Sequence, residues 1–278
     1  MASPCELLME FVDEAAARAV LAASAQCAWR IEGKFSRYRD DNIVARINGA
    51  RGLPVDVDEE TANLLDFTTR MHGLSEGLFD ITSGILRRAW TFDGGERTPS
   101  RAELDELLPL VGWNKVRWDR PRITLQPGMQ IDFGGVGKEF AVDQAVRAAG
   151  DITSEPVLIN FGGDLAVTRA RHGDRAWRIG IESASVKSPL AADVIELFGG
   201  ALATSGDTHR FITVGGRRLP HILDPRDGRP VRDAPHSVTV AAPTCVQAGM
   251  LTTLAMLRGA QAEEFLRAEN VRNWIQRD

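Results

Sequence analysis

Short segments with a two-residue hydrophobic period dominate the second half of the chain, and they constrain the fold more than any other feature. From Val116 the stretch VRWDRPRITLQPGMQIDF is broken by Pro121 and by Pro127-Gly128, which is typical of short antiparallel strands. Five later segments are also strand-like, and each ends at glycine, proline or a polar turn: PVLINFGGDLAV, AWRIGIES, DVIELFGGALATSG, RFITVGGRRLPHILD and HSVTVAAP. The sequence therefore predicts a sheet of mostly antiparallel strands.

Helical patterns fill the first half. The stretch Cys5–Val12 is apolar and bounded by charge, as a first strand would be, and Glu14–Ile31 has apolar residues at helical spacing. The same spacing returns in Glu59–Leu74. Ser100 can cap a further helix that begins near Arg101.

Two more helices are predicted in the second half of the chain. One covers about Glu139–Ala149, and the apolar stretch TCVQAGMLTTLAMLRGAQAEEFL is expected to close the chain as a helix. No internal repeat or long linker interrupts this order. We therefore expect an α+β fold with flanking helices that forms one domain over residues 1–278.

Charge and hydropathy exclude several classes of partner. The 278 residues include 33 basic and 38 acidic side chains, a net charge of -5 at pH 7, and no long run of lysine or arginine that would follow a nucleic-acid backbone. The first apolar run contains Glu6 and Glu10 and has no basic leader, so neither a secretory signal nor a membrane span fits it. We expect no nucleic-acid partner, no membrane insertion and a cytoplasmic location.

The cysteines and histidines lack metal-binding or disulfide spacing. Cys5, Cys27 and Cys245 are odd in number and far apart, with no C-x-x-C pair. The five histidines include no H-x-x-x-H pair. Neither a disulfide framework nor a histidine-based metal site on one helix is therefore expected.

The glycine-rich stretch IDFGGVGKEFAVD, residues 131–143, is the first candidate for a phosphate site. It does not match a P-loop, because Asp132 stands where the first glycine is needed and Glu139 where a hydroxyl would bind Mg²⁺. It does not match the dinucleotide pattern G-x-G-x-x-G either, since Phe140 stands at the third glycine. From these residues alone a plain strand-to-helix turn is an equal alternative.

Four other turns at predicted strand ends combine glycine with an acid: GLFDITSG (77–84), NFGGD (160–164), ATSGD (203–207) and HILDPRDGRP (221–230). Each one alone is an ordinary turn or bulge sequence. Together they supply backbone N–H groups, carboxylates and hydroxyls at loop tips, which is how a site for a large phosphorylated cofactor is assembled. A nucleotide-like ligand is therefore plausible.

Eight stretches, in sequence order, resemble the motifs of the ApbE-like flavin transferases, the family of FAD:protein FMN transferases. They run from Phe35 to Leu257 and read FSRYRDDNIVARIN, GLFDITSGILRRAW, IDFGGVGKEFAVD, LINFGGDL, WRIGIE, ALATSGD, HILDPRDGRPV and VTVAAPTCVQAGMLTTLAML. Members of this family cleave FAD at its diphosphate and transfer FMN to a threonine hydroxyl of a target flavoprotein, releasing AMP. The resemblance implies a T-fold-like α+β architecture, bound FAD, a divalent metal, usually Mg²⁺, and an acceptor flavoprotein with a threonine-containing motif.

The resemblance also implies cofactor contacts by position. Tyr38 matches an aromatic residue that packs on FAD, Asp132 matches an acid that binds it, and Lys138 matches a neighbouring position that suits a diphosphate. The other matching positions are Leu78, Phe79, Asp80 and Ile222. From the residues alone, Tyr38 could equally be a surface aromatic, and Phe79 could belong to the core.

His221, in HILDPRDGRP, is the candidate for the base that handles the proton of the acceptor hydroxyl. Imidazole, with an unperturbed pKa near ~6.5, is the side chain most easily poised as a base at neutral pH. Two alternatives stay open at this point. His221 could be a turn residue that hydrogen-bonds Asp224, and His209 competes for the same role.

The metal ligands implied by the resemblance are a backbone carbonyl near Gly135 and the aspartate and threonine of a last motif, Ala-Asp-x-x-x-Thr. This chain reads Ala-Gly-Met-Leu-Thr-Thr there, so Thr253 remains but Gly249 replaces the aspartate. Because Mg²⁺ is usually held by one or two carboxylates, we expect this loss to weaken the site. A second departure is Glu139, at a position where the family often has glycine.

We therefore predict a FAD:protein FMN transferase. One alternative is an FAD pyrophosphatase, which would use water in place of the threonine hydroxyl. The other is a flavin-binding protein with weakened catalysis, motivated by the missing carboxylate at Gly249.

Overall fold

A six-stranded antiparallel sheet forms the centre of the computed structural model, which describes residues 3–10, 13–183, 193–207 and 211–277. In spatial order its strands are β1 (Cys5–Met9), β5 (Val157–Phe161), β6 (Asp164–Val167), β9 (Gly200–Gly206), β12 (Ser237–Ala242) and β13 (Arg272–Gln276). Every neighbouring pair runs antiparallel. The α+β class with mostly antiparallel strands, predicted from the sequence, is confirmed.

Two helices, α5 (Gly137–Ile152) and α6 (Cys245–Arg258), cover one face of this sheet, and α1 (Glu14–Phe35) joins them there. Helix α5 packs on β5 and β6, α6 packs on β9 and β12, and α1 packs on α5. Three alanines spaced four residues apart in α5, Ala141, Ala145 and Ala149, are fully buried. Small side chains at this spacing line one side of a helix, so α5 can approach its neighbours closely.

A two-stranded ribbon, β7 (Trp177–Ile181) and β8 (Asp193–Leu197), covers the opposite face. Successive side chains of a strand point to opposite faces, so Ile159 joins the core under the helices and Leu158 packs with the ribbon. Because both faces of the central sheet are covered, polar site residues are expected at strand ends and in the loops.

A second packed region surrounds a 3₁₀ helix at Ile81–Arg88. It includes α4 (Arg101–Leu107) and the hairpin of β10 (Phe211–Val214) and β11 (Arg217–Pro220). Buried apolar residues hold it together: Ile85, Leu86, Leu104 and Ile212. Both turn glycines of the hairpin, Gly215 and Gly216, have positive φ, at 56° and 76°, as a two-residue turn of this kind requires.

The remaining elements are α2 (Ile43–Asn48), α3 (Glu59–Leu74), α7 (Ala262–Ala268) and a small sheet of β2 (Val55–Asp56), β4 (Arg122–Thr124) and β3 (Arg117–Asp119). Helix α3 has the bounds predicted from its period. Ser100 caps α4 in a reciprocal capping box with Glu103, as the sequence also predicted.

The end of the chain contradicts the sequence prediction of a closing helix. Helix α6 ends at Arg258 because Gly259 takes a φ of 59°, and a side chain at Gly259 would overlap the Arg232 carbonyl. After α7 the chain forms β13, whose Trp274 pairs with Thr239 of β12. The predicted stretch is thus divided into two helices, and the residues after it, for which no element was predicted, form an edge strand of the central sheet.

Asp143 in α5 fixes the start of α6. Its two carboxylate oxygens accept the backbone N–H groups of Cys245 and Val246, at 2.7 and 3.0 Å. These are N–H groups that no residue of α6 itself can bond, and the helix dipole adds to the attraction. The acid therefore holds the N-terminus of α6 against α5.

We expect Asp143→Ala to lower the free energy of unfolding by about 1–3 kcal/mol, because it leaves two N–H groups at the start of α6 without partners. Urea denaturation measures this change. Asp151→Ala, at the exposed end of the same helix, serves as the control and is expected to change stability little. Equal effects of the two substitutions would contradict the role assigned to Asp143.

Candidate active site

The loop of residues 131–137 leads into α5 and presents backbone groups at its tip. The N–H groups of Val136 and Gly137 donate to the Phe133 carbonyl at 3.0 and 2.8 Å, which closes a turn. No N-cap side chain bonds the first turn of α5. The positive end of the helix dipole, with no capping side chain in front of it, therefore favours a negatively charged ligand at this end.

Asp132 lies at the first end of this loop and forms an ion pair with Arg37. Its carboxylate also accepts the Gly134 N–H at 2.9 Å, and its own N–H donates to the Ile81 carbonyl at 2.9 Å. Gly84 has no room for a side chain, because a Cβ there would overlap the side chain of Asp132. The acid is therefore fixed between Arg37 and the 3₁₀ helix.

Tyr38 stands beside this ion pair and is 79% exposed. The Arg37 guanidinium lies 4.9 Å from the ring centroid and donates Nη2–H to the Tyr38 hydroxyl at 2.8 Å. Burial opposes the charge of Arg37, but the Asp132 carboxylate and Tyr38 outweigh it and raise the pKa of Arg37. A fixed cation beside an open aromatic ring suits a ligand that carries both a planar ring and phosphate.

Arg87 is a second cation at this end, and the sequence patterns did not single it out. It donates to the Gly84 carbonyl at 2.7 Å and to Gln130 Oε1 at 2.9 Å. Burial lowers the pKa of Arg87, and the nearby charge of Arg37 adds to this effect, while Asp132 opposes it. Two arginines near one carboxylate make this end of the loop locally positive, although the whole chain is acidic.

The segment of residues 78–80 approaches the middle of the loop. Phe79 packs here, since a Cβ on Gly135 would lie 3.6 Å from the Phe79 ring. The predicted cofactor-contacting side chains of this segment are all buried: Leu78, Phe79 and Asp80. Contacts of this segment with a cofactor would therefore come mainly from its backbone.

The Asp80 carboxylate is already used within the protein. It accepts the Thr82 N–H at 2.7 Å, the Thr82 hydroxyl at 2.6 Å and the Trp113 N–H at 2.8 Å. His72 Nε2 lies 3.5 Å from the same carboxylate. Asp80 thus shapes the start of the 3₁₀ helix, and its predicted contact with FAD stays a prediction.

Lys138 lies at the far end of the loop and pairs with Asp164 in β6. The Nζ atom is 2.7 Å from Asp164 Oδ2 and donates to the Gly162 carbonyl at 3.3 Å. Burial would lower the pKa of Lys138, but the Asp164 carboxylate outweighs burial and raises it. The lysine is therefore charged, and it ties the loop to the β5–β6 turn.

Glu139 packs directly against Gly249 of α6. A Cβ on Gly249 would lie 2.5 Å from Glu139 Cγ and 3.0 Å from its Oε1. The Glu139 carboxyl also meets that of Asp164, yet its buried Oε2 atom has no hydrogen-bond partner. Burial, with the neighbouring Asp164 charge, raises the pKa of Glu139 to about 8.

The pKa of Asp164 is raised as well, by burial, although Lys138 and the Thr204 N–H oppose this. Buried Cys245 of α6 is a further neighbour of the pair, and its pKa is also raised, chiefly by burial. The two carboxyls therefore share a poorly solvated space with one lysine as the nearby cation. Such a pair is costly to ionise fully.

The raised pKa of Glu139 predicts how stability depends on pH. Its pKa is 4.5 unfolded and about 8 folded, so folding takes up a proton and the free energy of unfolding falls as pH rises through that window. Glu139→Gln removes this titration. In metal-free buffer we expect the variant to resemble the wild type near pH 4.5 and to exceed its stability above pH 8, by on the order of 4 kcal/mol. Urea denaturation at both pH values measures the difference, and equal pH slopes would contradict the assignment.

The two threonines of the last motif point to different surroundings. Thr252 is fully buried, donates to the Gly249 carbonyl at 2.9 Å and shares a hydrogen bond of 2.8 Å with Ser205. Thr253, the predicted ligand, is half-buried and stands four residues after Gly249, so both lie on the same face of α6. That face is the one against which Glu139 packs.

The side-chain oxygens of Glu139, Asp164 and Thr253 are of the kind that Mg²⁺ binds. Among the described residues no three histidine, cysteine, aspartate or glutamate side chains are grouped for a metal ion. Mg²⁺ needs only one or two carboxylates, with waters and ligand phosphates completing its shell. The unpartnered Glu139 Oε2 is a buried oxygen of the kind that Mg²⁺ accepts.

The loop that follows β11 carries His221 and folds back onto the 3₁₀ helix. The His221 ring makes an edge contact with Phe92 at 6.3 Å between centroids. Trp90 Nε1–H donates to the Gly228 carbonyl at 2.7 Å, which anchors the loop. The loop is therefore held against the segment that follows the 3₁₀ helix.

Asp224, Ile222 and His209 are the other residues for which the sequence analysis raised a role near His221. Asp224 accepts three hydrogen bonds from the Arg226 side chain, at 2.9, 3.1 and 2.6 Å, and one from its backbone N–H. Ile222 accepts the Val231 N–H at 3.1 Å and packs between the core and α6. His209, the competing base, lies outside the residues that the structure describes.

His236 is a histidine that the sequence patterns passed over. Its Nδ1 lies 2.9 Å from Oδ2 of buried Asp207, and Arg218 lies 3.6 Å from the other oxygen. A carboxylate at Nδ1 orients an imidazole and selects its tautomer. His236 is therefore a second candidate base, and its only signal in the sequence is the ATSGD turn that supplies Asp207.

The fold is that of an α+β protein, and the start of α5 is its candidate site for a phosphorylated ligand. Comparison with known proteins identifies it further: the model of the ApbE family matches residues 1–275, so the chain belongs to the ApbE family. The resemblance drawn from eight ordered motifs is confirmed.

Individual relatives agree with this assignment. The crystal structure of the ApbE protein from Thermotoga maritima has a TM-score of 0.86 and 31% identity, covering 97% of this chain and 88% of that one. The FAD:protein FMN transferase of Haemophilus influenzae is 27% identical over 253 residues, 87% of this chain and 73% of the relative. The enzyme of that name from Escherichia coli K12 is 29% identical, over 85% of this chain and 70% of the relative.

Proposed function

We propose that this protein is a FAD:protein FMN transferase that cleaves the FAD diphosphate, attaches FMN to a threonine hydroxyl of an acceptor flavoprotein and releases AMP. Membership of the ApbE family supports this activity. Relatives named FAD:protein FMN transferase cover most of the chain at 27% to 29% identity. FAD is accordingly the substrate.

The observation that carries the proposal is the distribution of charge along the loop of residues 131–137. Arg37 and Arg87 stand at its first end, Lys138 at its far end, and the uncapped start of α5, the positive end of the helix dipole, beside it. A diphosphate needs cations and N–H donors in this arrangement. The exposed ring of Tyr38 offers a surface for a planar part of FAD.

The chemical step requires little covalent work from the protein. The threonine oxygen attacks the phosphorus of the FMN half, the bond to the bridging oxygen breaks, and AMP leaves with that oxygen. We assign the hydroxyl proton to His221, whose imidazole serves as the general base. Arg37 and Lys138 orient the diphosphate and offset its negative charge.

Mg²⁺ is part of the proposal. When bound, it would stabilise negative charge on the phosphoryl oxygens and on the leaving AMP. The residues proposed to hold it are Thr253, the Gly135 carbonyl and the carboxyl groups at the start of α5 and β6. These residues would provide oxygen ligands in a space that excludes bulk water.

The partner and the location are further predictions. An acceptor flavoprotein follows from the transferase activity, and its threonine-containing motif is proposed from the resemblance. No described helix combines the length and the apolar composition needed to cross a bilayer. The predicted cytoplasmic location can be checked by cell fractionation.

Mass spectrometry of an acceptor domain tests the activity. Incubated with the protein, FAD and Mg²⁺, the acceptor is expected to gain one FMN on threonine, with AMP released in equal amount. A threonine-to-alanine acceptor is the matched control and should gain nothing. AMP and free FMN released without any acceptor would favour the pyrophosphatase alternative. FAD binding without turnover would favour the binder.

A further inference from the structure

We propose that Glu139 supplies the metal-binding carboxylate that is missing at position 249, so that the acid of this site comes from α5 rather than from α6. The inference deepens the proposed function and rests on it, because the metal would serve the diphosphate of FAD. It concerns a residue that the family pattern does not predict as a ligand, since that pattern often has glycine at this position.

The first argument is that the two departures from the family pattern occupy one space. Position 139 has an acid in place of a frequent glycine, and position 249 has glycine in place of the aspartate. A Cβ on Gly249 would lie 2.5 Å from Glu139 Cγ and 3.0 Å from both Cδ and Oε1. The carboxyl group of Glu139 thus fills the volume that an aspartate side chain on α6 would need.

The second argument is the state of that carboxyl group. Glu139 is 8% exposed, and its Oε2 atom has no hydrogen-bond partner. If Glu139 only filled the gap beside Gly249, an apolar side chain would be the more stable choice. A buried polar atom without a partner costs about 1–3 kcal/mol. A buried oxygen left open in this way is suited to accept a cation.

The third argument is the chemistry of the neighbours. Asp164 supplies a second carboxyl, fixed by Lys138 at 2.7 Å and by the Thr204 N–H at 3.0 Å. Thr253 lies one helical turn from Gly249 on the face that Glu139 contacts. Two carboxyls and a hydroxyl form an oxygen-only set, which selects hard cations such as Mg²⁺ or Mn²⁺.

Mn²⁺ binding, followed by electron paramagnetic resonance without flavin or acceptor, tests the proposal. We expect Glu139→Gln to weaken Mn²⁺ binding by roughly tenfold or more, because an amide cannot supply the negative charge. Mg²⁺-induced thermal stabilisation should fall in parallel. Asp151→Asn, an exposed acid at the other end of α5, is the matched control and should bind as the wild type does.

Moving the acid from position 139 to position 249 tests whether Glu139 is a metal ligand or only fills space. In Glu139→Ala combined with Gly249→Asp, the three clashing atoms of Glu139 are gone, so the aspartate fits and Mn²⁺ binding is expected to return. Gly249→Asp alone should not strengthen binding, since its Cβ meets Glu139 Cγ. The melting temperature of each variant shows whether it is folded.

Three results would overturn the proposal. They are wild-type Mn²⁺ affinity in Glu139→Gln, a folded double variant that stays unable to bind, and a wild type that binds no Mn²⁺ at millimolar concentration. The proposed function is judged separately by FMN transfer. Glu139-dependent metal binding without FMN transfer would refute the transferase assignment and support the metal site. FMN transfer without metal binding would support the transferase assignment and refute the metal site.

Discussion

Replacing His221 by alanine is expected to lower kcat for FMN transfer by roughly 10²–10⁴-fold, because the acceptor hydroxyl loses its general base. FAD affinity should change little, since the charged groups assigned to the diphosphate, Arg37 and Lys138, lie at the loop of residues 131–137. FMN-modified acceptor, counted over time by mass spectrometry, gives kcat. FAD titration followed by flavin fluorescence gives the dissociation constant.

His236→Ala is the informative comparison for that result. Its imidazole is held by Asp207 at 2.9 Å, so it has the orientation that a base needs. We expect this variant to retain transfer within a few-fold of the wild type. Loss of transfer in His236→Ala with retention in His221→Ala would assign the base to the Asp207–His236 pair and would overturn our choice.

The second large effect is expected at Gly84, which packs against Asp132. In Gly84→Ala the new methyl group would overlap the Asp132 side chain, so the acid and its ion pair with Arg37 must shift. Overpacking of this kind costs typically about 1–3 kcal/mol. If that cost falls on the arrangement that binds FAD, the dissociation constant rises by roughly tenfold to a hundredfold.

Gly150→Ala is the matched control, because it is the same substitution at a helical glycine with no neighbour within 4 Å. It should leave FAD binding unchanged and raise stability slightly, as alanine favours helix over glycine by about 0.5–1 kcal/mol. Flavin fluorescence titration of both variants provides the comparison. Unchanged FAD affinity in Gly84→Ala would mean that Asp132 does not contribute to the site.

Local signals explain which parts of the fold the sequence could predict. The bounds of α3 and the Ser100 cap of α4 depend on residues within one helix, so periodicity and capping chemistry are sufficient. Strand β13 depends on pairing with β12, a contact between distant segments. Its short mixed sequence carries no period of its own, and for this reason it was missed.

The same distinction applies to the candidate site. Motif order identified the loop and Asp132, because those residues are adjacent in sequence. Arg37 pairs with Asp132 from another element, and Arg87 interacts with it through charge alone, so no pattern within the loop marked them. The sequence displayed Glu139 and Gly249 as two separate departures, and only the packing of α5 against α6 revealed that they touch.

That contact has a consequence for how the protein tolerates sequence change. A survey of single substitutions would find position 249 intolerant of any side chain, because each one meets Glu139. The same survey repeated in a Glu139→Ala background should find position 249 permissive. An evolutionary path between the two arrangements must therefore shorten residue 139 before it enlarges residue 249.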